Sequence, residues 1–521
     1  MRYRKHLERS KNRLHTRLQS PLNARRLTSL SCARDFTYSK TMARLLFTIL
    51  VLLSSSVTAA PYLDPLQRRI EAMQDQLNSV MSAVPTAGST PVAHVYGQFS
   101  GRYTSGSYLK RWNSHGSLSH SPILAGGMTL IDDGIVVPFT GVYYVYGQLQ
   151  LDPHSGDSDC SFRLYAGSSY VYAYTNSKTK TGSEDHTKYT GETRLLNQGD
   201  VIRIFISSTC TLDYVHLGET FLGAIFVSFS FLDNGGPPAS FQWGSYSGTK
   251  SSGSYLPSWN SLLKQGGAYQ HSGVGFRFPK RGFYYVFGQQ ELDPKSSNQN
   301  CGFYLQQEGS NSRLASTYIR SYEADYDERT EYTGLVADLS ANNYLRMYSM
   351  FSNCYFNYRY AYASLFGAFY LPFQNGPIVH LIGSFSGTHT KGTILSGRWS
   401  SNMVSGDIRL DKNGRGFVVP TDGIYYVYAQ IHMIPTSSSM KQCAYELKSS
   451  SSFGSRVIAA GVSFVPSPAS RNKVVHTGAA ARLSAGSVVY VKMRGTCYLG
   501  AYSGAKEQFL GGFYLGHSST V

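Results

Sequence analysis

Charged residues make up only 15% of this 521-residue chain, and it contains no His-Glu-x-x-His, no phosphate-cradling glycine loop and no nucleophile elbow. Those absences remove the metal-hydrolase, nucleotide-binding and acyl-transfer readings. No enzyme, no cofactor and no metal is expected. The 14 histidines are scattered, and His94 and His380 read as packed structural residues. No Asn-x-Ser/Thr acceptor occurs, so N-glycosylation is not predicted. A long apolar run is also missing. The best stretch, residues 45–60, is sixteen residues with three serines inside, short of the roughly 18 to 20 that a bilayer requires.

The formal charge of +17 resembles a nucleic-acid signature until it is located. Residues 1–44 hold twelve Lys or Arg against Glu8 and Asp35, a balance of +10 that leaves +7 for everything after it. Nucleic acid is therefore not an expected partner. The apolar run Leu45–Leu53, followed by small residues up to Ala60, reads as a secretory signal within a leader spanning 1–60, with a signal anchor as the alternative. The protein is expected to be secreted, or else a type II membrane protein. Translation starts at Met1 or at Met42, which directly precedes the apolar run. Leu63, Leu66, Ile70, Met73, Leu77, Val80 and Val84 then alternate at spacings of three and four, so 61–85 is predicted as a coiled-coil stalk able to self-associate. A single amphipathic helix on the first domain is the other reading.

The rest of the chain repeats. Gly141-Val-Tyr-Tyr-Val-Tyr-Gly-Gln148 recurs as Gly282-Phe-Tyr-Tyr-Val-Phe-Gly-Gln289 and Gly423-Ile-Tyr-Tyr-Val-Tyr-Ala-Gln430, 141 residues apart both times. Each copy is aromatic and β-branched with no polar alternation, the pattern of a strand buried on both faces. Six of the seven cysteines also fall as one pair per repeat: Cys160 and Cys210, Cys301 and Cys354, Cys443 and Cys497. Intradomain disulfides are their simplest reading in an exported chain, with metal binding the weaker alternative. Short β-prone runs separated by Gly, Ser and Asn clusters point to an all-β protein. Each repeat ends with a Thr-Gly pair (Thr190, Thr333, Thr477) and then a glycine-centred strand (Phe221-Leu-Gly-Ala-Ile225, Leu365-Phe-Gly-Ala-Phe369, Phe509-Leu-Gly-Gly-Phe513).

Together, Pro91-Val-Ala-His-Val95, Trp112, Ile135-Val-Val-Pro138 leading into the repeated strand, Leu195-Leu-Asn-Gln-Gly-Asp200 and Thr220-Phe-Leu-Gly-Ala224 resemble the tumour necrosis factor homology domain. The likeness runs in order through three repeats, predicted as domains at 91–232, 238–373 and 377–516. The second departs most: it lacks the opening histidine, and Ser340-Ala-Asn-Asn343 replaces the Gln-Gly-Asp turn. The resemblance implies three tandem jelly-roll β-sandwiches, each with its central strand in an inner sheet packed around a threefold axis.

Strand periodicity then turns Tyr143, Val145 and Gly147 into their own core. It turns Tyr144, Tyr146 and Gln148 toward the threefold, with Tyr285, Phe287, Gln289, Tyr426, Tyr428 and Gln430 at the same offsets. In that topology the strand after the first cysteine is expected antiparallel to the one ending at the second. The connectors, Leu-Asp-Asn-Gly-Gly between Phe231 and Pro237 and Gln-Asn-Gly between Phe373 and Pro377, suit repeats side by side in one chain. The resemblance implies a cytokine that binds and clusters tumour-necrosis-factor-receptor-like proteins. A secreted recognition or matrix protein that binds glycans or microbial surfaces is the alternative. Two charged loops, basic at Lys178, Lys180 and Lys188 and acidic at Glu323, Asp325, Asp327, Glu328 and Glu331, read first as solvated loops, with charge-matched receptor contact the sharper reading.

Overall fold

Runs such as Val142-Tyr-Tyr-Val-Tyr146 join β-branched and aromatic side chains, which suit a pleated surface covered on both sides. They become the twelve-residue strands Gly141–Asp152, Gly282–Asp293 and Gly423–Ile434, buried along almost their whole length. The computed structural model describes residues 90–517 except 113–121, 153–158, 168–169, 178–185, 214–217, 230–235, 272, 296–298, 310–312, 321–328, 358–361, 372, 436–441, 453, 465–471 and 501–505. The leader, the apolar run, the heptad stalk, Cys32 and most of the first connector lie outside the described residues. So do Lys178, Lys180, Glu323, Asp325, Asp327 and Glu328. No described helix is long and apolar enough to cross a membrane.

In the first repeat the central strand lies between Phe221–Ser228 and His186–Leu196, and Phe221–Ser228 passes the ladder on to Val92–Tyr96 and Ile123–Ala125. A second layer runs Thr129–Ile131, Gly134–Val136, Val201–Ile206, Cys160–Ala166, Tyr170–Ser177. The other two repeats follow the same order, so the fold is all-β, three tandem jelly rolls. Between the layers lies the core of each repeat. Gly147 shows why a small residue is needed there: a Cβ on it would crowd Leu164 and Ile204 of the opposite layer.

The sheets do not stop at the repeats. Each of three twelve-stranded sheets joins the outer layer of one repeat to the inner layer of the next. The joining bridges are Ser177 to Arg329, Ile319 to Lys473 and Ser463 to His186, which run in a cycle from first to second to third to first. The buried apolar residues of all three repeats accordingly form one continuous cluster. The second connector is held by its own side chain. Gln374 accepts from the Phe283 amide at 2.7 Å and donates to the Phe283 carbonyl at 3.0 Å.

Two cysteine pairs are disulfides, Cys160–Cys210 and Cys301–Cys354, with Cα atoms 5.0 and 4.8 Å apart. As expected, the strand Cys160–Ala166 runs antiparallel to Val201–Ile206, the strand before the second cysteine, but that strand ends short of Cys210. Cys210 opens the short strand Cys210–Leu212, which pairs with Gly101–Tyr103 and with the end of the central strand, so the bond ties the outer layer to the inner one. The third pair is a correction: Cys443 and Cys497 are free thiols, both buried. A hydrogen bond to Cys497, together with burial, pushes the Cys443 thiol up.

Candidate functional site

The outward side chains of the three central strands meet one another. All nine, Tyr144, Tyr146, Gln148, Tyr285, Phe287, Gln289, Tyr426, Tyr428 and Gln430, have no solvent exposure. Tyr144 and Tyr285 are 5.2 Å apart between ring centroids, Tyr285 and Tyr426 5.4 Å, and Tyr144 and Tyr426 5.9 Å, all near edge-to-face. That arrangement aligns ring edges with ring faces and is favourable beyond area burial. Their hydroxyls are chained. Tyr144 bonds Tyr332 at 2.7 Å and Tyr189 at 3.1 Å, Tyr189 bonds Tyr426 at 2.5 Å, and Tyr285 reaches Tyr426 at 3.4 Å. Burial pushes these phenols up, Tyr285 to about 12, so all stay protonated and able to donate.

One residue further along each strand face, the glutamines reach between repeats. Gln148 donates to the carbonyl of Ala460 at 2.8 Å, Gln289 to that of Tyr174 at 2.7 Å and Gln430 to that of Ser316 at 2.9 Å. Each amide also donates within its own repeat, to Glu219, Ala363 and Glu507 respectively. Thr477 in turn donates to the Gln148 carbonyl oxygen at 2.8 Å. A buried amide must be satisfied, so these bonds fix where the neighbouring outer layer can lie.

Sequence reasoning missed the residues just before each Thr-Gly pair: Tyr189, Tyr332 and His476. They stand opposite the glutamines in the register, and their rings close the layer. His476 lies 5.1 Å from Tyr189 and 5.0 Å from Tyr332. The recurring Tyr-Thr-Gly, Tyr-Thr-Gly, His-Thr-Gly was the available signal. The glycines themselves make room. A Cβ at Gly191, Gly334 or Gly478 would strike the hydroxyl of Tyr144, Tyr285 or Tyr426.

The charged positions nearby are not surface loops. Lys188 and Glu331, expected as loop contacts, are buried and pair with each other across repeats at 2.9 Å. Val475 holds the equivalent position in the third repeat, opposite Ile431 as Lys188 is opposite Leu149. One position further along, the strands carry Gln150, Glu291 and His432. Glu291 accepts from Asn176 of the first repeat at 3.3 Å, and His432 bonds Tyr318 of the second at 2.7 Å. Gln150 makes neither bond.

The family profile described as the TNF (Tumour Necrosis Factor) family matches residues 110–227 and 398–515. Those two segments, in the first and third repeats, are similar to the tumour necrosis factor family. No curated protein matches it. Among solved structures, "Structure of Eiger TNF from S. frugiperda" is similar at 19% identity and a TM-score of 0.24, over 28% of this chain and 96% of that one.

The second repeat, which the profile does not match, differs by compensated exchanges. In the first repeat the Tyr146 hydroxyl accepts from the Ala480 amide at 3.0 Å and bonds His94 at 3.2 Å. In the third, Tyr428 accepts from Val336 at 2.9 Å and bonds His380 at 3.1 Å. In the second, Phe241 and Phe287 replace the histidine and tyrosine together and stack at 6.4 Å. Removing both polar partners at once leaves no orphaned group between them. The altered turn also survives. Asn342, at φ 64°, stands where Gly199 has φ 85°, and its amide bonds the Phe278 carbonyl as that of Gly199 bonds Val137.

Proposed function

We propose that the chain is an extracellular ligand of the tumour necrosis factor class whose three repeats, with boundaries at 91–232, 238–373 and 377–516, close one threefold within a single polypeptide. It binds and clusters cysteine-rich receptors in the clefts between adjacent repeats. The observation that carries the closure is the glutamine cycle, in which each repeat reaches one neighbour and is reached by the other. Charge supports it. Three copies of Lys188, or three of Glu331, around one axis would repel, whereas one of each with Val475 is complementary. The nine central-strand side chains are then the trimer interface. No catalytic group is needed for such a ligand, and the heptad stalk would gather several units to raise avidity.

Solution mass of the secreted 91–521 fragment tests the closure. One compact chain is expected, and a species of roughly 150 kDa, three chains, overturns it. Pull-down of cysteine-rich receptor ectodomains tests the ligand role, and binding only to polysaccharide or bacterial surfaces overturns that. The glycan-binding alternative has one observation in its favour. On the outer layer of the second repeat, Arg277 lies over Tyr269 and Tyr344, and Arg346 over Tyr255 and Tyr344, presenting stacked aromatic and guanidinium groups.

A further inference from the structure

The outer layer of the second repeat departs from the other two along one cross-strand row. Tyr269, Arg277 and Tyr344 stand opposite one another on the neighbouring strands Tyr269–His271, Gly275–Arg277 and Tyr344–Ser349. At the same register the first repeat carries Thr129, Val136 and Val201, and the third carries Arg409, Val418 and Val488. Two repeats thus fold with a valine pair where the second has arginine and tyrosine. The exchange is not a requirement of the jelly roll. Burial alternates along Tyr344–Ser349, so Tyr344 and Arg346 both face away from the core. Tyr255 and Tyr269, on the same face, are 47% and 54% exposed.

Two guanidinium groups share this face. Arg277 lies 5.5 Å from the centre of the Tyr269 ring and 5.9 Å from that of Tyr344, and Arg346 lies 5.2 Å from Tyr344 and 5.9 Å from Tyr255. Tyr344 therefore holds two cations at once, and they repel each other. Stacking engages the flat face of a guanidinium and not its N–H edge, the part that forks onto an oxyanion. Among the described residues the Arg277 guanidinium has no hydrogen-bond or ion-pair partner, only the two rings. Arg346 gives Nη1 to Glu308 at 3.0 Å, and its Nε is without a partner. The Glu308 side chain is 44% exposed, and one such carboxylate against two guanidiniums leaves the face positive. In the first repeat the counterpart of Arg346, Arg203, is instead neutralised by Asp133 at 2.7 Å. A neutral sugar would need open ring faces, which the guanidiniums occupy. A peptide strand would need a free backbone edge, but Gly275–Arg277 and Tyr344–Ser349 are paired on both sides. A flat positive face with planar donors suits repeated oxyanions along an extended polymer.

We propose that this row is a binding face for a sulfated polysaccharide, with Arg277 and Arg346 on the sulfates and Tyr344 positioning both. Such a face rests on the same stacked groups that favour glycan binding, and it is independent of receptor capture. Retention of the full secreted chain on immobilised heparin tests it. The unaltered chain should be held and should elute with rising salt, since the contact is ionic. Arg277→Val combined with Tyr344→Val installs the valine pair of the other repeats, so the unfolding midpoint should change little. Affinity for heparin should fall by about tenfold or more, as expected for losing a charged hydrogen-bonded contact. In the unaltered chain, heparin should also block labelling of Arg277 by an arginine-specific dicarbonyl, a readout that needs no variant. Undiminished retention of the double variant, Arg277 labelling unaffected by heparin, or equal retention on polyglutamate or neutral dextran overturns the proposal. Ectodomain pull-down reads the receptor role separately, so either reading can fail alone.

Discussion

Glu192 is fully buried beneath the second repeat's approach, and Arg194 reaches it at 3.0 Å while also stacking over Phe241 of that repeat. Burial pushes the Glu192 carboxyl up to about 7 against the pull of Arg194. The folded state thus holds the proton more tightly than the unfolded one. Stability falls as pH rises from about 4.5 to about 7. Glu192→Gln should stabilise the protein at pH 8, by at most on the order of 3 kcal/mol, and leave it nearly unchanged at pH 4, as read by denaturant unfolding at the two pH values. His380 and His476 act in the opposite sense. Desolvation lowers both to about 3, so the stability they contribute is present above pH 6.5 and is lost as pH falls toward 3. Replacing His476 by Gln should flatten that acid limb.

At the level of the strand, Gln289 is a clamp whose loss strands two carbonyls. Gln289→Leu should cost about 2–4 kcal/mol, more than an exposed glutamine would, because the Tyr174 and Ala363 carbonyls lose their buried donor. The thiols of the third repeat make a chemical prediction. Alkylation of the 91–521 fragment without reductant should label no cysteine in the native state and two after unfolding, counted by mass spectrometry. Four labels, or none after unfolding, would contradict the assignment. Much of this architecture was legible in the sequence. An unbroken aromatic run with period-two geometry already separates Tyr144 from Tyr143. What was not legible is pairing between elements far apart in the chain. Nothing local in Lys188 or Glu331 distinguishes a solvated loop charge from a buried partner 143 residues away. The fate of Cys443 and Cys497 was equally hidden, since spacing alone does not tell a disulfide from two adjacent thiols.

For the whole molecule, the proposed single-chain closure would make assembly independent of concentration. The unfolding midpoint should stay constant over a hundredfold dilution, whereas a trimer of chains would lose stability by mass action. Exchanging the charges as Lys188→Glu should destabilise the protein, and the double variant with Glu331→Lys should recover much of the loss, with a coupling of about 0.5–3 kcal/mol. The unlike contacts at equivalent positions also bear on heredity. Three copies so similar in their central strands invite unequal recombination, which would add or delete one jelly roll. A two-copy product leaves its tyrosine face open to water, and a four-copy product carries a spare one. Duplicating a repeat also places lysine against lysine or glutamate against glutamate. The side-chain differences between the repeats therefore make a chain with an added or lost repeat less complementary at these contacts.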